Sequence, residues 1–245
     1  MNAAIYYHPE AYTTSGPKLM GRNAAGESFL RGFLKHSNAA EFWVQVHQLD
    51  HASHFAQTVK LLGRTQAIKV VDKNTLGALS QAGVVYYPGP DLGEYAFQRA
   101  AYGHSAWSLC GITHTTSSAG AMDALAALIT APVQPWDALI CTSNAVKDNV
   151  SRLLQAQVDY LKDRLDIGKI VLPQLPVIPL GIHTADFAFS SEQKMAARAA
   201  LGVTADTLVV LFMGRLSFHA KAHPLALYQA IESAVKKNRQ KGGPA

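Results

Sequence analysis

The chain has 245 residues, 49% hydrophobic and 16% charged, with a mean hydropathy of +0.04. That composition belongs to a globular protein and excludes disordered, collagen-like and disulfide-rich classes. The formal charge of +5 gathers in Lys236, Lys237, Arg239 and Lys241, and the rest is close to neutral. No alternation of basic and aromatic residues follows the tail, so no specific nucleic-acid partner is expected; peripheral contact with anionic membrane surfaces stays open.

The apolar runs have strand length, far short of the ~20 residues that a spanning helix needs. The start, Met1-Asn-Ala-Ala-Ile-Tyr-Tyr-His-Pro, lacks the basic lead and long apolar core of a secretory signal, so the expected compartment is the cytoplasm. Cys110 and Cys141 sit in separate apolar runs and read as buried thiols rather than a zinc or redox motif.

In chain order, Ala4 to His8 predicts a strand and Asn23 to His36 a helix with Phe29, Leu30, Phe33 and Leu34 on one face. Strands follow at Phe42 to His47, Ala67 to Val71, Val84 to Tyr87, Ser108 to Thr113 and Ala138 to Cys141. Helices are predicted around Ser53 to Leu62, Asn74 to Gln81, Tyr95 to Tyr102 and Ala119 to Ile129. After Thr142-Ser143 comes a long amphipathic helix with Val146, Val150, Leu153, Leu154, Leu161 and Leu165 on one stripe. Val177-Ile-Pro-Leu is a further extended segment. Apolar strands alternating with helices predict an α/β fold, a doubly wound, Rossmann-like parallel sheet covered on both faces.

A seam follows Gly181-Ile-His183. Residues 1–183 read as one Rossmann-like domain and 184–245 as the start of a second, incomplete Rossmann-like domain. The second contains a capping box at Ser190 to Gln193, a helix ending near Gly202, a strand at Thr207 to Met213 and a helix from Leu225 to Lys237. The chain is therefore expected to be part of a longer protein, a fragment with little activity by itself. Self-association through the Thr207 to Met213 edge is expected with it.

Ligands of doubly wound sheets bind beyond the carboxyl ends of the strands. The first strand leads into His8-Pro-Glu10 and the loop Ser15-Gly-Pro-Lys-Leu-Met-Gly-Arg22, whose Gly16 and Gly21 permit close backbone approach; a flexible turn is the alternative. Neither a dinucleotide fingerprint nor a P-loop is present. Gly111-Ile-Thr-His114 delivers an imidazole to the crevice, to bond a sugar hydroxyl or answer developing charge, or else to be tied to a backbone carbonyl. The pairs His51/His54 and His219/His223 lack a third ligand and read as solvated rather than metal-binding. Near the C-terminus, Leu208 to Met213 ends on Gly214, with Arg215 and Lys221 beside the turn into the last helix. A forked and a mobile cation near free N–H groups suit a diphosphate, the alternative being an ordinary turn with solvated charges.

Taken in order, the Gly16 to Arg22 loop, Thr113-His114-Thr115, Cys141-Thr-Ser143, Pro179-Leu-Gly-Ile182 and Gly214-Arg215-Leu-Ser-Phe-His-Ala-Lys221 resemble the family 4 glycosyltransferases of the GT-B fold. The resemblance implies an acceptor-side N-terminal domain, a nucleotide-sugar donor bound by the second domain, and retaining transfer without metal or other cofactor. It implies His114, Arg215 and Lys221 as catalytic residues. Gly16, Gly21, Arg215 and Lys221 would contact the donor, while His8, Arg22 and Thr115 are the acceptor-side candidates. Departures from the pattern are Ala222, where glycine is usual, and His183, where an acid or amide is frequent. The other reading is a non-catalytic sugar- or nucleotide-binding module of the same fold.

Overall fold

Strand β1 (Ala4–Tyr6) comes first in the chain but lies in the middle of the sheet, between β2 (Glu41–Gln45) and β4 (Val84–Tyr86). In the computed structural model, which describes residues 2–16, 19–212, 214 and 223–241, strands β3 (Ala67–Val71), β5 (Ser108–Thr113) and β6 (Ala138–Cys141) complete a six-stranded sheet of order β3-β2-β1-β4-β5-β6. All five pairings are parallel. Single parallel bridges from Ala138 to Gln174 and from Cys141 to Val177 extend the β6 edge, the second at the start of the segment Val177 to Leu180 predicted to be extended.

Successive residues of a strand face opposite sides, and both sides here are apolar. Ile5, Phe42, Val44, Tyr86 and Ile112 pack with Leu30 and Leu34 of α2 (Gly21–His36) and with Phe55 and Val59 of α3 (Leu49–Leu61). Ala4, Trp43, Val85, Leu109 and Leu139 face the opposite side. There they meet α4 (Leu79–Ala82), α5 (Leu92–Ala100), α6 (Ala119–Ala127) and α7 (Asn144–Leu165). This is the doubly wound α/β architecture that the alternation predicts. The stripe of α7 that reaches the core is Val150, Leu154, Val158 and Leu161, while Leu165 turns outward. Ser143 starts α7 by accepting a hydrogen bond from the Val146 amide at 3.2 Å.

A short helix, α1 (Pro9–Tyr12), is absent from the sequence reading because four residues are too few to display a helical period. It is fixed by α2. Asn23 accepts from the Met20 amide (2.8 Å) and donates to the Glu10 carbonyl (2.5 Å), and a side chain at Gly26 would run into the Ala11 carbonyl.

The chain divides into two compact units, Met1–Ala185 and Asp186–Ala245. In the second, Ser190 and Gln193 form the predicted capping box at the start of α8 (Ser191–Ala200), and α9 (Pro224–Gln240) follows His223, whose Nδ1 accepts from the Leu225 amide. The expected strand at Thr207 to Met213 does not form over its described part, 207–212, which joins no ladder. Its apolar run signals burial, but a strand also needs a neighbour to satisfy its N–H and C=O groups, and Leu208 (88% exposed) and Leu211 (71%) face solvent. Met213 lies outside the described residues. No described residue of α8 or α9 is buried, and among the described residues no helix is long and apolar enough to cross a membrane.

Candidate functional site

The strand order reverses between β1 and β4, so the chain leaves these neighbours toward opposite faces and opens a crevice at their carboxyl ends. A cavity of about 290 Å³ occupies it, lined by Tyr6, His8, Glu10, Arg22, Tyr87 and Asp91 among others. His8 and Glu10 come from the exit of β1 and from α1, Arg22 from the first turn of α2, and Asp91 from the loop between β4 and α5. Arg22 Nη2 donates to Glu10 Oε1 at 3.1 Å; with both side chains more than half exposed (55% and 64%), the pair adds little to stability. Its effect is to hold a guanidinium at the crevice.

The loop after β4 lies flat on β5 because Gly111 has no side chain. A Cβ there would stand 2.7 Å from the Gly89 carbonyl oxygen, which instead accepts from the Ile112 amide at 3.1 Å. Gly89 in turn leaves room for the Asp91 carboxylate, whose Oδ2 would lie 3.2 Å from a Cβ at that position. Asp91 precedes α5 as its N-cap yet makes no side-chain cap bond, and partial desolvation by the crevice walls, with Glu94 nearby, raises its pKa. Three tyrosine rings back the cavity: Tyr87 on Tyr95 at 3.8 Å, and Tyr6 at 5.2 and 5.3 Å from them.

His114, directly after β5, lines a second cavity of about 490 Å³ with Phe29, Phe33, Tyr86, Ile112 and residues 178–183. Its pKa is lowered first by burial and then by the Arg22 charge, against a hydrogen bond to the Pro88 carbonyl that raises it. The ring lies near the Pro88 carbonyl and also lines the cavity. A neutral imidazole carries one N–H donor and one acceptor nitrogen. The floor of this cavity is joined to α2 by His183 Nε2 at the Ser28 carbonyl (3.1 Å) and by the Ser28 hydroxyl donating to the Gly181 carbonyl (3.1 Å).

The structure thus brings His8, Arg22 and His114 to one end of the sheet. Gly16 and Gly21 have open space where a Cβ would stand, so nothing among the described residues requires glycine at either position. Thr115 lines neither cavity; its hydroxyl bonds the Ser117 hydroxyl (2.9 Å) and accepts from the Ser117 amide (3.2 Å). Arg215 and Lys221 lie outside the described residues. His51 and His54 are only partly exposed, unlike solvated histidines: His54 Nδ1 bonds the Tyr7 hydroxyl at 2.5 Å, and His51 stands edge-on to His8 with ring centroids 5.0 Å apart.

The sequence names Glu10 only as part of the β1 exit and gives no role to Asp91 or the tyrosines. The available signal was Pro88-Gly-Pro-Asp91, a carboxylate at the exit of a buried strand. Among the described residues no cluster of three or more His, Cys, Asp or Glu could hold a metal ion. No protein-family model matches the chain, and neither does any curated protein.

Proposed function

We propose that the protein is a retaining glycosyltransferase that moves a sugar from a nucleotide-sugar donor to an acceptor held at the β1/β4 crevice. The observation that carries the reading is His114 at the carboxyl end of β5, next to the strand that borders the crevice, lining the larger cavity with its pKa lowered by burial and by the Arg22 charge. Breaking a sugar–phosphate bond places negative charge on the departing diphosphate and positive character on the anomeric carbon, so fixed cations and hydrogen-bonding groups are what the reaction asks of the protein. Arg215 and Lys221 are assigned to the diphosphate, the Gly16 to Gly21 loop to the donor phosphates, and the imidazole of His114 to a hydroxyl of the transferred sugar. Residues 184–245 belong to the donor side. The reaction needs no metal, and a cytoplasmic site would give access to nucleotide sugars.

Transfer from a panel of radiolabelled nucleotide sugars to mixed acceptors tests the proposal. Activity that falls about 100-fold or more in Arg215→Ala, Lys221→Ala and His114→Ala supports it, a loss typical of removing a group that stabilises developing charge. Full activity in all three variants overturns the assigned roles. Donor binding without turnover points instead to a non-catalytic binding module.

A further inference from the structure

The crevice between β1 and β4 has a charge pattern that selects among ligands. Of its charged lining residues, Arg22 is engaged with Glu10 at 3.1 Å, which leaves the Asp91 carboxylate as the unbalanced charge. A phosphate or carboxylate entering here would meet like charge at the exposed Asp91, a repulsion that solvent reduces to a modest penalty. An ionised carboxylate only accepts hydrogen bonds, so its complement is a ligand rich in O–H donors. The wall beside it is aromatic: Tyr6, Tyr87 and Tyr95 stand within 3.8 to 5.3 Å of one another and offer an apolar surface for C–H groups. The volume of about 290 Å³ lies at the small end of ligand sites, the size for one ring rather than a chain.

We propose that the molecule held in this crevice is a neutral, hydroxyl-rich ring, a sugar or glycoside bearing no phosphate or carboxylate, and that Asp91 is the residue that selects it. That this ring is the acceptor rests on the glycosyltransferase reading; its binding does not. Asp91 accepts two ring hydroxyls while the tyrosines cover a C–H face. The same carboxylate turns away anionic analogues.

Saturation-transfer NMR and calorimetry with the methyl glycosides of glucose, mannose and galactose, and with the corresponding 6-phosphates, test this. At least one neutral glycoside binds, and its 6-phosphate binds at least about tenfold more weakly. Asp91→Asn and Asp91→Ala each weaken the neutral ligand about tenfold, the loss expected for a hydrogen bond to a charged group. Asp91→Asn, which keeps the shape, also narrows the gap between neutral and phosphorylated ligands, a change that a purely structural role would not produce. The proposal is overturned if no neutral glycoside binds, if the phosphates bind as well or better, or if Asp91→Asn leaves both affinities unchanged. Glycoside binding without transfer from any nucleotide sugar removes the glycosyltransferase reading and leaves this inference standing. Transfer that is indifferent to Asp91→Asn does the reverse.

Discussion

Asp91 and His114 respond to one physical cause in opposite directions. Leaving water disfavours the charged form of any group, so desolvation raises the carboxylic acid and lowers the imidazole. For His114 the Arg22 guanidinium acts in the same sense. An NMR titration should therefore place the His114 midpoint below its ordinary value of 6.5, and Arg22→Ala should move it upward; a midpoint above 6.5, or one indifferent to Arg22, would contradict the geometry. The consequence for stability follows from linkage. Because the folded protein holds its proton less tightly than the unfolded chain, the unfolded chain protonates first as pH falls below 6.5, and stability declines from there down to the lowered folded midpoint. His114→Gln should flatten that part of the pH–stability curve. The position of His114 was legible because a residue just past an apolar strand falls at the carboxyl end of a sheet. Asp91 was not, because Pro88-Gly-Pro90 interrupts the strand period before any helical period has begun.

Among the elements, α5 is joined to the β6 side by a buried ion pair. Arg99 and Asp137, both fully buried, make paired hydrogen bonds of 2.6 and 2.8 Å. Arg99 also donates to the Trp107 carbonyl (2.9 Å), and Asp137 accepts from the amides of Leu109 and Gln134 (2.8 Å each). Removing one partner leaves the other charge buried and alone, so Arg99→Met or Asp137→Ala should each cost about 3–5 kcal/mol in urea denaturation, while the double variant should lose less than the sum. A loss under about 1 kcal/mol in either single variant would show that the site opens to water. Nothing in the sequence pairs these residues: an arginine inside a helix reads as surface, and its partner stands 38 positions further on. The bounds of strands β3, β5 and β6 were legible because each is a short run dominated by apolar and β-branched residues. The Thr207 to Met213 run carries the same pattern. It failed over 207–212 because composition reports a preference for burial and cannot supply the neighbouring strand.

At the scale of the whole molecule, the two units differ in what holds them. The first encloses two apolar cores, one on each face of the sheet. The second has no buried residue among those described, although Phe187, Phe189, Met195 and Leu201 are available to form a core. Helices of 10 and 17 residues without a buried face are marginal in water. Amide hydrogen exchange should therefore be at least about a hundredfold faster in α8 and α9 than in β1 and β5; equal protection would mean that a cover for the second unit exists in solution.

The central place of β1 governs the order in which the site can come into being. On the ribosome the N-terminus emerges first, and β1, β2 and β3 can zip together once Val71 is clear of the tunnel, leaving one flank of β1 unpaired. That flank waits for Val85 and Tyr86, and the crevice has no far wall until Asp91 arrives behind them. The nascent protein passes through an interval with a bare strand edge, which a chaperone could shield and a second nascent chain could capture. The recognition pocket and the covered edge are completed by the same short length of translation.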